Sequence, residues 1–206
     1  MKPKHYNMNI LDKYKDHIDQ DTYDKYTWIV FFIQTIADMT NTNDIIGHFN
    51  IEQDRLNKLP IDKQVAVVIE SIKQTFITVV SKMMTIYSIS YPLLREADVP
   101  GEDAIFIQWQ LMGICLKRSL TTSDSDMPDY IRTVIRDEFK KNLYDADNLA
   151  LPVEFIKIVM IMYSTKHIFS TKNGIDRIKN NADDIMTSLV ETMKRKNREI
   201  TRRYSN

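Results

Sequence analysis

Seven apolar residues fall at Val65, Ile69, Ile72, Phe76, Val79, Met83 and Ile86, with gaps that alternate between four and three. A strand puts every second residue on one face, and no period of two runs through this window. Alternating steps of four and three place all seven along one side of a helix, which other helices must then cover. The composition of the window pulls the other way. Val65, Val67, Val68, Ile69, Thr75, Ile77, Thr78, Val79, Val80 and Thr85 are β-branched and favour strand. The period holds over three heptads and outranks propensity. Val68, Val80, Met84 and Tyr87 widen the stripe beyond the seam of a free coiled coil, which points to the central helix of a bundle. The fold class that follows is all-α: about seven helices in a bundle or orthogonal array, with one long central helix over about 62–88 and a long C-terminal helix.

The remaining elements are read around that helix. Residues 1–18 are polar with scattered Tyr and Ile, and suit an arm or a short helix. Asp19 or Asp21 can cap a helix reaching about Met39, with Tyr23, Tyr26, Ile29, Val30, Ile33 and Ile36 inward. Thr40 to Asp44 is a turn cluster, followed by short helical pieces around Ile45–Phe49 and Glu52–Lys58. Pro60 suits the entrance to the central helix, and Asp62 its first turn. Ser88 to Asp103, with Tyr91-Pro92 and Pro100-Gly101, reads as the longest irregular stretch. A helix over about 102–120 would bury Ile105, Phe106, Trp109, Met112, Gly113 and Leu116. After the hydrophilic run Thr121–Asp126, Asp126 before Met127-Pro128 marks a further start, with Ile131, Val134, Ile135, Phe139 and Leu143 inward. Another helix begins near Pro152 and carries Phe155, Ile156, Val159, Met160, Tyr163 and His167. Asn173-Gly174 breaks the chain. The last helix runs from about Ile175, with Ile178, Ala182, Ile185, Leu189 and Met193 inward. No Pro/Gly/Ser-rich linker and no internal repeat divides the sequence, so residues 1–206 are expected as a single helical domain, with 194–206 as a basic C-terminal extension.

The charge balance narrows the function classes. Lys and Arg number 28 and Asp and Glu 28, so the chain is neutral overall. A protein that coats nucleic acid with its whole surface would be basic. The charge is nevertheless uneven: Lys194, Arg195, Lys196, Arg198, Arg202 and Arg203 lie within ten residues, opposed only by Glu199. That segment is a candidate contact for phosphate, nucleic acid or an acidic partner, against the plainer reading of a helix end matched to its dipole. The apolar pattern fades after Met193, so the segment has no core face of its own.

Motifs for chemistry are missing. One cysteine, Cys115, allows no intramolecular disulfide and no multi-cysteine zinc site, and its apolar neighbours suggest a small buried hydrophobe. His5, His17, His48 and His167 show no metal-binding spacing. No ExxE pair is present to hold magnesium between facing helices. Asp145 and Asp147 with Asn148 lack the glycine and terminal glutamate of a calcium loop. No phosphate-binding loop or nucleophile elbow occurs, and four glycines leave little material for one. No catalytic residue, cofactor or metal is therefore expected. Trp28 and Phe31 sit among Tyr23, Tyr26 and Phe32 on more than one helix face, which makes them a possible interface.

The N-terminus lacks the apolar run of a signal peptide, and the longest strongly apolar run, Trp28–Ile33, is far short of a membrane span. A soluble or peripheral protein, cytoplasmic or in a virion, is expected. Abundant Ile, Asn, Lys and Tyr fit an AT-rich genome, as in many bacteria, phages and large DNA viruses. These features combine into an expected non-enzymatic assembly protein with other subunits as partners, such as a phage or virion adaptor or ring subunit. The alternative is a regulator that binds nucleic acid or a host protein through its basic C-terminal helix.

Overall fold

In a computed structural model the chain is all-α. The structure describes residues 10–49, 51–96, 101–142, 178 and 180–204, and no strand occurs among them. A 3-10 helix at Asp12–His17 leads into α1 (Gln20–Thr40), α2 (Asn43–Ile46), α3 (Gln53–Leu56) and α4 (Ile61–Glu96). There follow α5 (Gly101–Thr121), a 3-10 turn at Asp124–Asp126, α6 (Met127–Asn142) and α7 (Ala182–Tyr204). The helix expected near Pro152 with His167, the Asp145–Asn148 turn and the Asn173-Gly174 break lie outside the described residues.

Local chemistry sets the ends of α1. Asp19 is extended, and its carboxylate accepts the Thr22 amide at 2.9 Å. At the other end Asn41 takes a left-handed conformation (φ 52°, ψ 48°), and the Thr42 amide reaches back to the Ala37 carbonyl at 2.9 Å. Asn is among the few non-glycine residues that adopt this region readily. Two residues on, Asn43 Nδ2 donates to Asp38 at 2.8 Å. Tyr26, Ile29, Val30, Ile33 and Ile36 are all buried, and Tyr23 is half-buried.

The central helix is longer than its sequence suggests. It begins just after Pro60, whose carbonyl accepts from Lys63 and Gln64, and it runs to Glu96 rather than stopping near Ser88. Its 36 residues span roughly 54 Å at ~1.5 Å each. Pro92 lies inside it, although an interior proline costs about 3 kcal/mol and leaves the carbonyl four residues back without its helical donor. Here that carbonyl belongs to exposed Ser88, where water can replace the lost donor. Beyond the expected end, Ser90 and Leu94 are fully buried and Ile89 and Leu93 half-buried. Tertiary burial past Pro92 thus offsets a local breaker.

The buried line on α4 also differs from the heptad seam. Val65 and Ile69 are only half-buried, while Gln64, Val68, Ile72, Phe76, Val79, Met83, Ile86, Ser90 and Leu94 are sequestered. Their spacing is longer than the ~3.5 residues of a strict heptad, so the enclosed side winds around the helix instead of holding one seam. This is the geometry of a bundle helix enclosed by several neighbours. α4 makes its most extensive contact with α5, and also packs on α1, α6 and the 3-10 helix. α1 in turn touches α2, α5 and α7.

The first described segment is docked rather than free. Leu11 and Tyr14 are buried, and the Tyr14 hydroxyl donates to Gln64 Oε1 at 3.1 Å while Gln64 Nε2 donates to the Leu59 carbonyl at 2.8 Å. Residues 11–17 therefore take the short-helix alternative and seal the start of α4.

By length and composition α4 is apolar enough to cross a membrane. Its apolar stripe is nevertheless spent on neighbouring helices, and Asp62, Lys63, Glu70 and Gln74 are exposed on its other side. That division is what an amphipathic core helix requires.

At the α4–α5 contact, Ser90 Oγ lies 2.7 Å from both the Ile86 carbonyl oxygen and the Gln108 side-chain amide. One hydroxyl proton can serve only one acceptor. The Ser90 hydroxyl can therefore donate either to the Ile86 carbonyl or to Gln108 Oε1. The other end of that amide is buried without a partner among the described residues.

Candidate functional site

The sequence singles out the basic end of α7, so its placement comes first. Ile178, Ala182, Ile185, Met186, Leu189, Val190 and Met193 are buried and form the stripe that holds the helix to the bundle. Charged ties fix the same helix from outside. Asp183 sits in the first turn of α7, where Lys73 of α4 and Lys25 of α1 converge on its carboxylate. Lys25 also donates to the Asp183 backbone carbonyl at 3.2 Å. The Lys73 hydrogen bond, aided by the charges of Lys73 and Lys25, holds the Asp183 carboxyl below its ordinary range. Beneath this cluster, burial together with the nearby Asp183 and Glu70 charges pushes the Tyr26 hydroxyl up to about 12.

The six basic residues do not behave alike. Lys194 Nζ lies 3.7 Å from Asp24 of α1, so Lys194 is part of the fastening between the two helices. Arg195, Arg198 and Arg202 are exposed and have no ion-pair partner among the described residues. At ~100° per residue these three fall within about 60° of one another around the helix, opposite the buried stripe. The backbone of Lys196 and Arg203 belongs to the same helix, and their side chains lie outside the description.

Trp28 and Phe31 are half-buried rather than open. Their rings meet edge to face at 6.0 Å and pack on the core. Among the described residues the exposed aromatic surface lies on the outer face of α4. Tyr87 and Tyr91 stack with ring centres 5.4 Å apart and planes 14° apart, and they are 38% and 41% exposed. Arg95 follows one turn later and is also exposed. The pair was missed in the sequence because Tyr87 counts as part of the apolar stripe and Tyr91-Pro92 reads as a loop. Four-residue spacing was the available signal, and it becomes visible once the helix is known to pass through Pro92.

A shallow groove of about 560 Å³ runs between α2, α4 and the end of α5. Ile45, Ile46, Phe49 and Leu120 give it an apolar floor, and Glu70 is the only charged lining residue among the described residues. Phe49 holds a left-handed backbone (φ 51°) at this groove, a conformation that costs a non-glycine residue about 1 kcal/mol or more. No sequence-local pattern announces the groove, because its walls come from three separate segments.

Cys115 is fully buried on α5, and desolvation pushes its thiol up to about 12. It packs as a small hydrophobe. Among the described residues no three His, Cys, Asp or Glu side chains converge in a way that could hold a metal ion. No family model, characterised protein or solved structure matches this chain.

Proposed function

We propose that this chain is a non-enzymatic helical assembly protein whose outer helix faces join it to other subunits. The observation that carries the reading is the stacked Tyr87–Tyr91 pair with Arg95 one turn on, exposed on the outer face of the central helix. Tyr and Arg dominate the energetic centres of protein interfaces, because each combines a large contact area with a polar end. Two rings already stacked on a helix lose little further freedom when a partner covers them. Val67 on α4 and Ile114 on α5 add exposed apolar area, at 40% and 41% exposure. A phage or virion subunit is the concrete setting suggested by the AT-rich composition and the absence of chemistry motifs in the sequence.

The test is solution mass by light scattering over a wide concentration range, for the wild type and for Tyr87→Ser/Tyr91→Ser. A discrete oligomer that the double substitution dissociates supports the reading. A wild-type monomer at every concentration counts against self-assembly, and an oligomer unaffected by the substitution moves the interface elsewhere.

A further inference from the structure

We propose that Arg195, Arg198 and Arg202 form a sequence-independent binding site for the phosphate backbone of nucleic acid. This is separate from the assembly reading, which rests on α4.

Three observations support it. The first is that these arginines are uncommitted where many other described cations are not. Lys25 and Lys73 are held by Asp183, Arg55 by Glu52, Lys117 by Asp44, Arg132 by Asp129 and Lys194 by Asp24. Arg195, Arg198 and Arg202 follow directly after the last of these ties and have no such partner among the described residues.

The second is geometry. The buried stripe and the ties at Asp183 and Lys194 fix α7 to the bundle as a rod. The three guanidinium groups extend from its solvent face over roughly 10 Å of helix axis. A fixed row of planar, permanently charged forks suits phosphate oxygens, which accept paired N–H donors.

The third distinguishes nucleic acid from an acidic protein. Protein interfaces have an apolar centre, whereas protein–DNA interfaces are polar and positive. Where burial is described, the exposed large apolar side chains are Leu59, Val67, Tyr87, Tyr91 and Ile114, and none of them lies between Ala182 and Arg198 of α7. Residues 194–203 carry six cations and one anion, so in a neutral chain the remainder is net −5. Nucleic acid would repel that remainder and attract the tip of α7, which orients the encounter. Three side chains all directed at phosphates position a duplex and read no bases.

The experiment is fluorescence anisotropy with a short duplex DNA of random sequence, titrated at several salt concentrations. Three phosphate contacts predict a slope of log K against log salt of at least about 2.7 in magnitude. Each single Arg→Gln substitution at 195, 198 or 202 should reduce that magnitude by about 0.9. Gln keeps the helix propensity, circular dichroism checks the fold, and Lys63→Gln, which removes an exposed cation elsewhere, should leave the slope unchanged. A second duplex of unrelated sequence should bind equally well. No duplex binding up to about 100 µM at low salt overturns the proposal, whether or not poly-glutamate binds. Binding whose slope survives R195Q, R198Q and R202Q together overturns it as well.

Discussion

The buried contact between Ser90 and Gln108 allows a quantitative test of how α4 and α5 are joined. Ser90 is fully buried and Gln108 is 6% exposed, so neither can turn to bulk water when its partner is removed. Ser90→Ala removes one hydroxyl and leaves the Gln108 amide without the 2.7 Å contact, with its other end already unpartnered. A buried polar group that loses its partner costs about 1–3 kcal/mol. Gln108→Leu acts in the opposite direction. It removes the unpartnered amide, and Ser90 retains the Ile86 carbonyl as acceptor at 2.7 Å. That variant should therefore fall within about 1 kcal/mol of wild type. The double variant replaces both polar groups and should also lie near wild type, so the two substitutions are coupled by about 1–2 kcal/mol. Urea unfolding followed by circular dichroism measures this, because a change in midpoint at constant slope is a change in stability. If Gln108→Leu is as damaging as Ser90→Ala, or the double variant is worse than either single, the reasoning about the unpartnered amide is wrong.

Three further outcomes are expected. Phe76→Ala empties a fully buried site on α4 where the Phe76 ring meets Phe32, and should lower stability by about 3–5 kcal/mol in urea melts; a loss under about 1 kcal/mol would mean the site is not enclosed. Asp183→Asn should cost only about 0.5–1 kcal/mol at neutral pH, since the side chain is 57% exposed. The folded Asp183 titrates below its ordinary value, so its contribution is present above about pH 4 and is lost as pH falls through the lower folded value. The gap between wild type and variant should therefore close in acid, and a gap that widens there would reverse the assignment. Cys115, buried with its thiol pushed up to about 12, should react with a thiol reagent only as fast as the protein opens; rapid labelling of the native protein would contradict that burial.

Much of the architecture could be read from local pattern. Asp19 as the cap of α1, Asn41 and its neighbours as a turn, and Asp126 before Met127 as a helix start each depend on a few adjacent residues. Ile178, Ala182, Ile185, Leu189 and Met193 were expected inward from spacing and are buried. The candidate sites were less legible. Composition marks the basic end of α7, but the distinction between Lys194 and the three arginines depends on Asp24, some 170 residues away in the chain. The half-burial of Trp28 and Phe31 likewise depends on neighbours that the spacing within α1 does not reveal.

The sequence by itself determined that the chain is helical, where most of the described helices begin, and which side of α1 and α7 turns inward. Those properties follow from periodicity and from capping groups that act within a turn or two. Only the tertiary structure decided that α4 continues through Pro92, that residues 11–17 close over its start, and that Tyr87 and Tyr91 stand together on its outer face. In each case the local preference is a few kcal/mol at most, and burial against a distant segment is large enough to override it.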